Sequence, residues 1–501
     1  MAFSLSEAGV TFAAIYLSVV VYTVTNGRPA RRYVDQLRKR GLVHAVTKLP
    51  SDAVIDNMIT AVSRDFPETD MFYLDFWPLS VPTHVITNPE AAIQANQMHN
   101  LDKPPLLHDL MMDLAGGPHM FMTSEKDENY ILSLVPRIVE EVSTYSEMLR
   151  SRADDGNMFS LDEATLRLTF DLIGRTVLDS KLGYQGGPNP LADAMRSQIF
   201  WHSFGNEVNP WTRWHPLGDN RYIGEELDKR YAEKRNAAVG DKNRSVISLA
   251  LDSYLQDTHT NAESNKMDDV LRRYATYQIR IFLFAGHDST STTICYCYYL
   301  LSKNPEAMAL IRKEHNEVLG TDVSSAAAQI SAKPNLLNKL PYTTAVIKET
   351  LRPSSMRLGR PGVELTDRHG ARYPEEGCHV WILHMALHRN PRYWPEPNAF
   401  KPERWLVGPE HPLHPAKGAW RPFEHGIRNY IGQTLAMVNV KTLLALTLTE
   451  FDVKDAYVDW DATHPTRNLK RVDGERAYCT ERGGMHPADG FPCKVLVRDR
   501  E

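Results

Sequence analysis

IFLFAGHDSTSTTICYCYYLL, residues 281–301, carries one acid, Asp288, and no Lys or Arg. Arg280 precedes it and the next basic residue is Lys303. A run so apolar and so rich in small residues reads as a helix through the middle of a protein, not along its surface. Polar groups interrupt it too often for a good membrane span. The helical pattern begins near Met267 and runs to Leu301. Gly286 removes side-chain bulk and lets a ligand approach the backbone. Beside it, His287, Asp288 and Ser289 supply a titratable pair and a hydroxyl, and these three are the candidate catalytic residues. The plainer reading is that Asp288 and Ser289 bond within the helix and His287 is a satisfied core residue.

Outward from this helix, further helical patterns run from Tyr130 to Arg152, Leu161 to Leu178, Gly224 to Ala238, Pro305 to Leu319 and Tyr342 to Leu351. Short strand-like runs occupy Met71 to Thr87, Val363 to Leu383 and the C-terminal FPCKVLVRD. The fold class is mainly α with a small β lobe. With 501 residues, 42% hydrophobic and 24% charged, the composition is that of a large globular protein. A net charge of -5 gives no footprint for nucleic acid. Five cysteines without a CxxC pair argue for a reducing compartment and offer no cysteine-based metal site. Cys295 and Cys297 sit two apart on one helix and point in different directions.

Residues 8–27, AGVTFAAIYLSVVVYTVTNG, are free of charge and about long enough to cross a bilayer. Arg28, Arg31, Arg32, Arg38, Lys39 and Arg40 follow, which places the main body on the cytosolic side. The expected organisation is a membrane anchor over 1–27, a basic juxtamembrane hinge over 28–50 and one large domain over 51–501. The expected location is the endoplasmic reticulum membrane, single-pass.

Glu349 and Arg352, in KETLR, share one helix face, and Arg404 in FKPERW can complete a buried network with them. Four elements then stand in order: AGHDS at 285–289, ETLR at 349–352, PERW at 402–405 and FEHGIRNYIG at 423–432. Together they resemble the cytochrome P450 family, the haem-thiolate monooxygenases, most of all fungal microsomal members that act in secondary metabolism. The resemblance implies a cytochrome P450-like fold with an N-terminal transmembrane helix, haem b between two helices, and a core network of Glu349, Arg352 and Arg404.

The chain departs from the family where haem is held. The family loop reads FxxGxRxCxG; Phe423, Gly426, Arg428 and Gly432 match it, but Tyr430 stands at the ligand position. Tyrosine does not reproduce the electron push of a thiolate. By resemblance Arg428 would meet a haem propionate. The family's WxxxR helix is missing after the acidic turn, the segment after Arg352 is short, and Ser289 replaces the threonine of the oxygen-activating acid–alcohol pair. On these departures the expectation is no cofactor and no metal, with Arg428 and Tyr430 as cofactor residues only if haem is retained.

Three functions follow in order. The first is a P450-fold protein that has lost haem-thiolate chemistry and performs a cofactor-independent cyclisation, cycloaddition of Diels–Alder type or isomerisation of a hydrophobic terpenoid or polyketide intermediate. His287 would donate a hydrogen bond and Asp288 act as acid or base. The second is a haem oxidoreductase with Tyr430 or water as axial ligand. The third is a non-catalytic partner of an active P450 or its reductase.

Overall fold

The computed structural model describes residues 54–498 apart from 75–80, 104–127, 179, 202–222, 226, 230–231, 233–268, 352–354, 359, 361, 426–428, 431, 467–469 and 482–483. The expected anchor at 8–27 and hinge at 28–50 lie outside the described residues, as do Arg352, Arg428 and most of the expected helix from Gly224. Among the described residues, no helix is long and apolar enough to cross a membrane.

Among the described residues, the helices that build most of the body include α1 (Val135–Asp155), α2 (Leu161–Ile173), α3 (Asp269–Lys303), α4 (Pro305–Leu319), α5 (Pro341–Thr350) and α6 (Gln433–Thr447). Their ends follow from local chemistry. Ser160 caps α2 by accepting from the Glu163 backbone N–H at 3.1 Å, the first half of a capping box. Pro305 opens α4 where its missing N–H costs nothing, and Gly320, at φ +80°, ends it. The pattern from Tyr130 splits into a short helix, Glu128–Ser133, and α1, because Pro136 cannot continue the ladder. The pattern from Leu161 to Leu178 ends in a wider π-helical turn, Gly174–Leu178.

α3 runs through the middle, as its composition requires. Leu283, Ile294, Cys295, Cys297 and Leu301 are all fully buried. Each buried Leu or Ile contributes roughly 1.5–3 kcal/mol. The largest core cluster joins α1, α3, α4, α5 and α6, and a second joins the ends of α2 and α3 to the helix Pro190–Trp201. Gly286 lies against α2: a Cβ there would overlap the side chain of Ile173. The bulk removed at Gly286 therefore admits a neighbouring helix, which corrects the expectation of a ligand approach.

The β lobe is a mixed four-stranded sheet of β1 (Met71–Leu74), β2 (Thr83–Ile86), β3 (Ser355–Leu358) and β4 (His379–Ile382), in the order β1-β2-β4-β3. Only β2 and β4 pair in parallel, with Val85 opposite Trp381. Toward the C-terminus, β5 (Phe451–Asp455) pairs with β8 (Pro492–Val497), and the hairpin of β6 (Cys479–Glu481) and β7 (Met485–Pro487) lies between them in sequence.

Candidate functional site

The site is built where α3 meets the loop that leads into α6. On α3 the incompletely buried residues Phe282, Ala285, Ser289 and Thr293 recur at helical spacing and form one stripe, with Ser289 the most open. The loop residues Phe423, Asn429 and Tyr430 and the first turns of α6 are likewise only partly buried. Two hydroxyls converge on one backbone oxygen. The Ser289 hydroxyl donates to the Ala285 carbonyl at 3.1 Å, and the Tyr430 hydroxyl donates to the same carbonyl at 3.2 Å. A carbonyl oxygen has two lone pairs and accepts both.

Tyr430 thus reaches from the loop to α3. Its ring stacks on Phe423, with centroids 6.2 Å apart and planes within 14°. Gly432 leaves room for that ring, since a Cβ there would lie 2.7 Å from Tyr430 Cε1. Burial pushes the Tyr430 phenol up to about 12, so near neutral pH it is a neutral hydrogen-bond donor.

The other candidates on α3 face elsewhere. His287 is buried; its Nδ1 donates to the Leu283 carbonyl at 2.7 Å and its ring meets Phe170 edge-on at 5.3 Å. Burial lowers its pKa, partly offset by the charge of Asp288, so it is a neutral core residue. Asp288 is also buried, with Oδ1 2.9 Å from His486 Nε2. Burial alone would raise its pKa, but the charge and hydrogen bond of His486 bring it below the usual carboxylate range. Ser289 shares the stripe with Tyr430; His287 and Asp288 do not.

Behind the loop stand two members of the expected architectural network, Glu349 and Arg404; the third, Arg352, lies outside the described residues. Arg404 Nε lies 3.1 Å from Glu349 Oε2, and both side chains are fully buried. Trp405 Nε1 donates to Glu349 at 2.9 Å, and Arg404 Nη1 donates to the Pro395 carbonyl at 3.2 Å. A second network, not foreseen from sequence, holds the loop itself. Glu424 takes φ +56°, a left-handed conformation that a side chain of its kind seldom adopts. Its carboxylate meets Arg421 at 2.8 Å, Asn96 at 2.6 Å and His384 at 3.1 Å. Arg421 and Glu424 are three apart and a pair was readable there, but Asn96 and His384 come from distant segments with no spacing to mark them.

A sequence model of the cytochrome P450 family matches residues 119–468. Cytochrome P450 monooxygenase polC of Polytolypa hystricis is 36% identical over 483 residues, covering 90% of this chain and 86% of its own. Cytochrome P450 monooxygenase acrF of Aspergillus aculeatus is 28% identical, covering 91% of this chain and 100% of its own. The crystal structure of a cytochrome P450 (CYP102L1) superposes with a TM-score of 0.67 at 20% identity, covering 91% of this chain and 100% of that one.

These likenesses overturn the expectation that the protein takes no cofactor. Relatives along nearly the whole chain are named cytochrome P450 monooxygenases, so haem is the cofactor the family implies, and the departures at Tyr430 and around it do not show that it is lost. The donor set nonetheless differs from a haem-thiolate one. Thiols are present on α3, but Cys295 Sγ is 3.2 Å from Thr165 on α2 and Cys297 Sγ donates to Thr350 on α5 at 3.6 Å. Ten residues of helix, about 15 Å of rise, separate Cys295 from Ala285. Tyr430 is the side chain at the loop's ligand position, and it is engaged as a neutral donor to Ala285. Among the described residues of α3 and this loop, none is placed for thiolate ligation. The extent of the family match, the full-length relatives and the buried Glu349–Arg404 pair agree: this chain belongs to the cytochrome P450 family.

Proposed function

We propose that this protein converts a hydrophobic intermediate of fungal secondary metabolism, a terpenoid or polyketide, on the α3 stripe that carries Ser289, by chemistry other than thiolate-driven oxygenation. The observation that carries this reading is Tyr430, a neutral phenol bonded to the Ala285 carbonyl at the position of the family's cysteine. Cyclisation, cycloaddition and isomerisation depend mainly on holding a substrate in a reactive shape beside a few placed polar groups. Ser289, Thr293 and the Tyr430 hydroxyl supply such groups along one face. The likeness to proteins named monooxygenases favours a second reading, an oxidoreductase in which Tyr430 or water faces the haem iron. In both readings residues 8–27 tether the chain to the endoplasmic reticulum membrane, with the main domain cytosolic and a reductase or another P450 as neighbour.

The deciding experiment combines spectra with turnover. The full chain is purified after expression with ample haem, and spectra are taken before and after dithionite and carbon monoxide. Candidate hydrophobic intermediates are then incubated with and without oxygen and NADPH. The first reading expects no thiolate-type carbon monoxide spectrum and conversion that persists without oxygen and electrons. Conversion that stops on their withdrawal, with a haem band that shifts in Tyr430→Phe, establishes the second.

A further inference from the structure

Asp162, His486 and Asp288 form a cluster with no part in the chemistry above, and it joins three elements far apart in the chain. His486 Nδ1 lies 2.9 Å from Asp162 Oδ1 on α2, and His486 Nε2 lies 2.9 Å from Asp288 Oδ1 on α3. All three residues are buried. A neutral imidazole has a single N–H and cannot donate to two carboxylates, whereas an imidazolium donates to both. The two carboxylates hold the ring well above the usual histidine range, to about 10, against the opposing effect of burial.

The charged and titratable groups around this ring, among the described residues, are Asp162 on α2, Asp288 and His287 on α3, and Arg196 on the helix Pro190–Trp201, whose charge reaches Asp288. Two further features fit the hairpin to α3. A Cβ on Gly484 would overlap the Asp288 carboxylate, so glycine there admits it. Thr292 on α3 donates to the Met485 carbonyl at 2.7 Å.

We propose that His486 is a positioning residue that seats Asp288 against the C-terminal hairpin and holds its carboxylate off the α3 stripe, leaving the hydroxyls of Ser289 and Thr293 as the polar α3 groups presented there. The inference rests on the reading that this stripe faces the substrate. It changes the expectation for the AGHDS motif, because its acid is committed to an internal ion cluster.

The test needs neither substrate nor haem, so it can fail or succeed independently of that reading. Histidine C2-hydrogen exchange, followed by mass spectrometry on the full chain, gives the titration of His486. In the native protein His486 stays protonated through pH 8, and Asp288→Asn shifts its midpoint down by at least one pH unit. Asp162→Asn acts on the other ring nitrogen without touching α3 and produces a shift in the same direction. Amide exchange across 479–487 rises in both variants. A His486 that titrates like a free histidine, or whose midpoint is the same in native protein and both variants, overturns the proposal.

Discussion

Glu349 with Arg404, and His486 between Asp162 and Asp288, are two buried ion clusters built on different cations. The first ties α5 to the turn Pro402–Trp405 through a guanidinium that is charged at every accessible pH. The second ties α2, α3 and the β6–β7 hairpin through an imidazolium whose charge depends on its neighbours. Burying a charge is tolerable only when partners replace its hydration, and removal of one partner exposes the full desolvation penalty of the other. The two clusters therefore carry similar risks on mutation but should respond differently to pH.

The larger effect belongs to the arginine cluster. Arg404→Leu takes the guanidinium away from a buried Glu349 that also accepts from Trp405 Nε1 at 2.9 Å and from the Lys401 backbone N–H at 3.3 Å. The expected loss is about 3–5 kcal/mol, a large share of the stability of a typical domain. Denaturant unfolding of soluble protein, or failure to accumulate soluble protein at all, checks it. A loss under 1 kcal/mol would show that the pair is dispensable to the fold.

His486→Gln keeps one hydrogen bond and removes the cation, so a loss of roughly 1.5–3 kcal/mol is expected. Its pH dependence distinguishes it from the arginine variant. His486 has its folded pKa raised to about 10, against about 6.5 unfolded, so its contribution is complete below about pH 6.5 and lost as pH rises through 10. Asp288 has its folded pKa lowered, so its contribution is present above about pH 4 and lost as pH falls. The stability gap between native protein and His486→Gln should be widest between about pH 4 and 6.5 and narrow toward pH 10, while the Arg404→Leu gap changes little from pH 6.5 to 10. Melting both variants across that range gives the comparison directly.

The same contrast explains what the sequence disclosed. The helix through Ile281–Leu301, the Pro305–Leu319 helix and the pairing of Glu349 with Arg404 were legible, because periodicity, Pro and Gly punctuation and short motifs are local signals. His486 was not. It is 198 residues from Asp288 and 324 from Asp162, and nothing in GGMHPADG announces either partner. Gly286 was noticed for the right reason, lost bulk, but a sequence cannot say that Ile173 of α2 takes up the space. Asp288, expected to act as acid or base, is paired with His486, which spacing alone did not disclose: helical spacing gives a direction along a helix, not the identity of what packs there. The expectation of no cofactor leaned on a few local departures, at Tyr430, the missing WxxxR helix, the segment after Arg352 and Ser289, whereas the likeness to the family extends over nearly the whole chain.

Tyr430 offers the smallest effect and a neutral control for both clusters. Tyr430→Phe removes one donor from the Ala285 carbonyl and leaves the Ser289 hydroxyl in place at 3.1 Å, so no buried acceptor is stranded. The ring, its stacking on Phe423 and its contact with Gly432 all remain. A neutral hydrogen bond of this kind contributes about 0.5–1.5 kcal/mol. Burial keeps the phenol protonated up to about 12, so the difference from native protein should stay flat from pH 4 to pH 10, where the His486→Gln gap closes. A Tyr430→Phe gap that grows as pH rises would mean that the hydroxyl ionises in the folded protein, and the loop would then be presenting a phenolate to whatever sits beside α3.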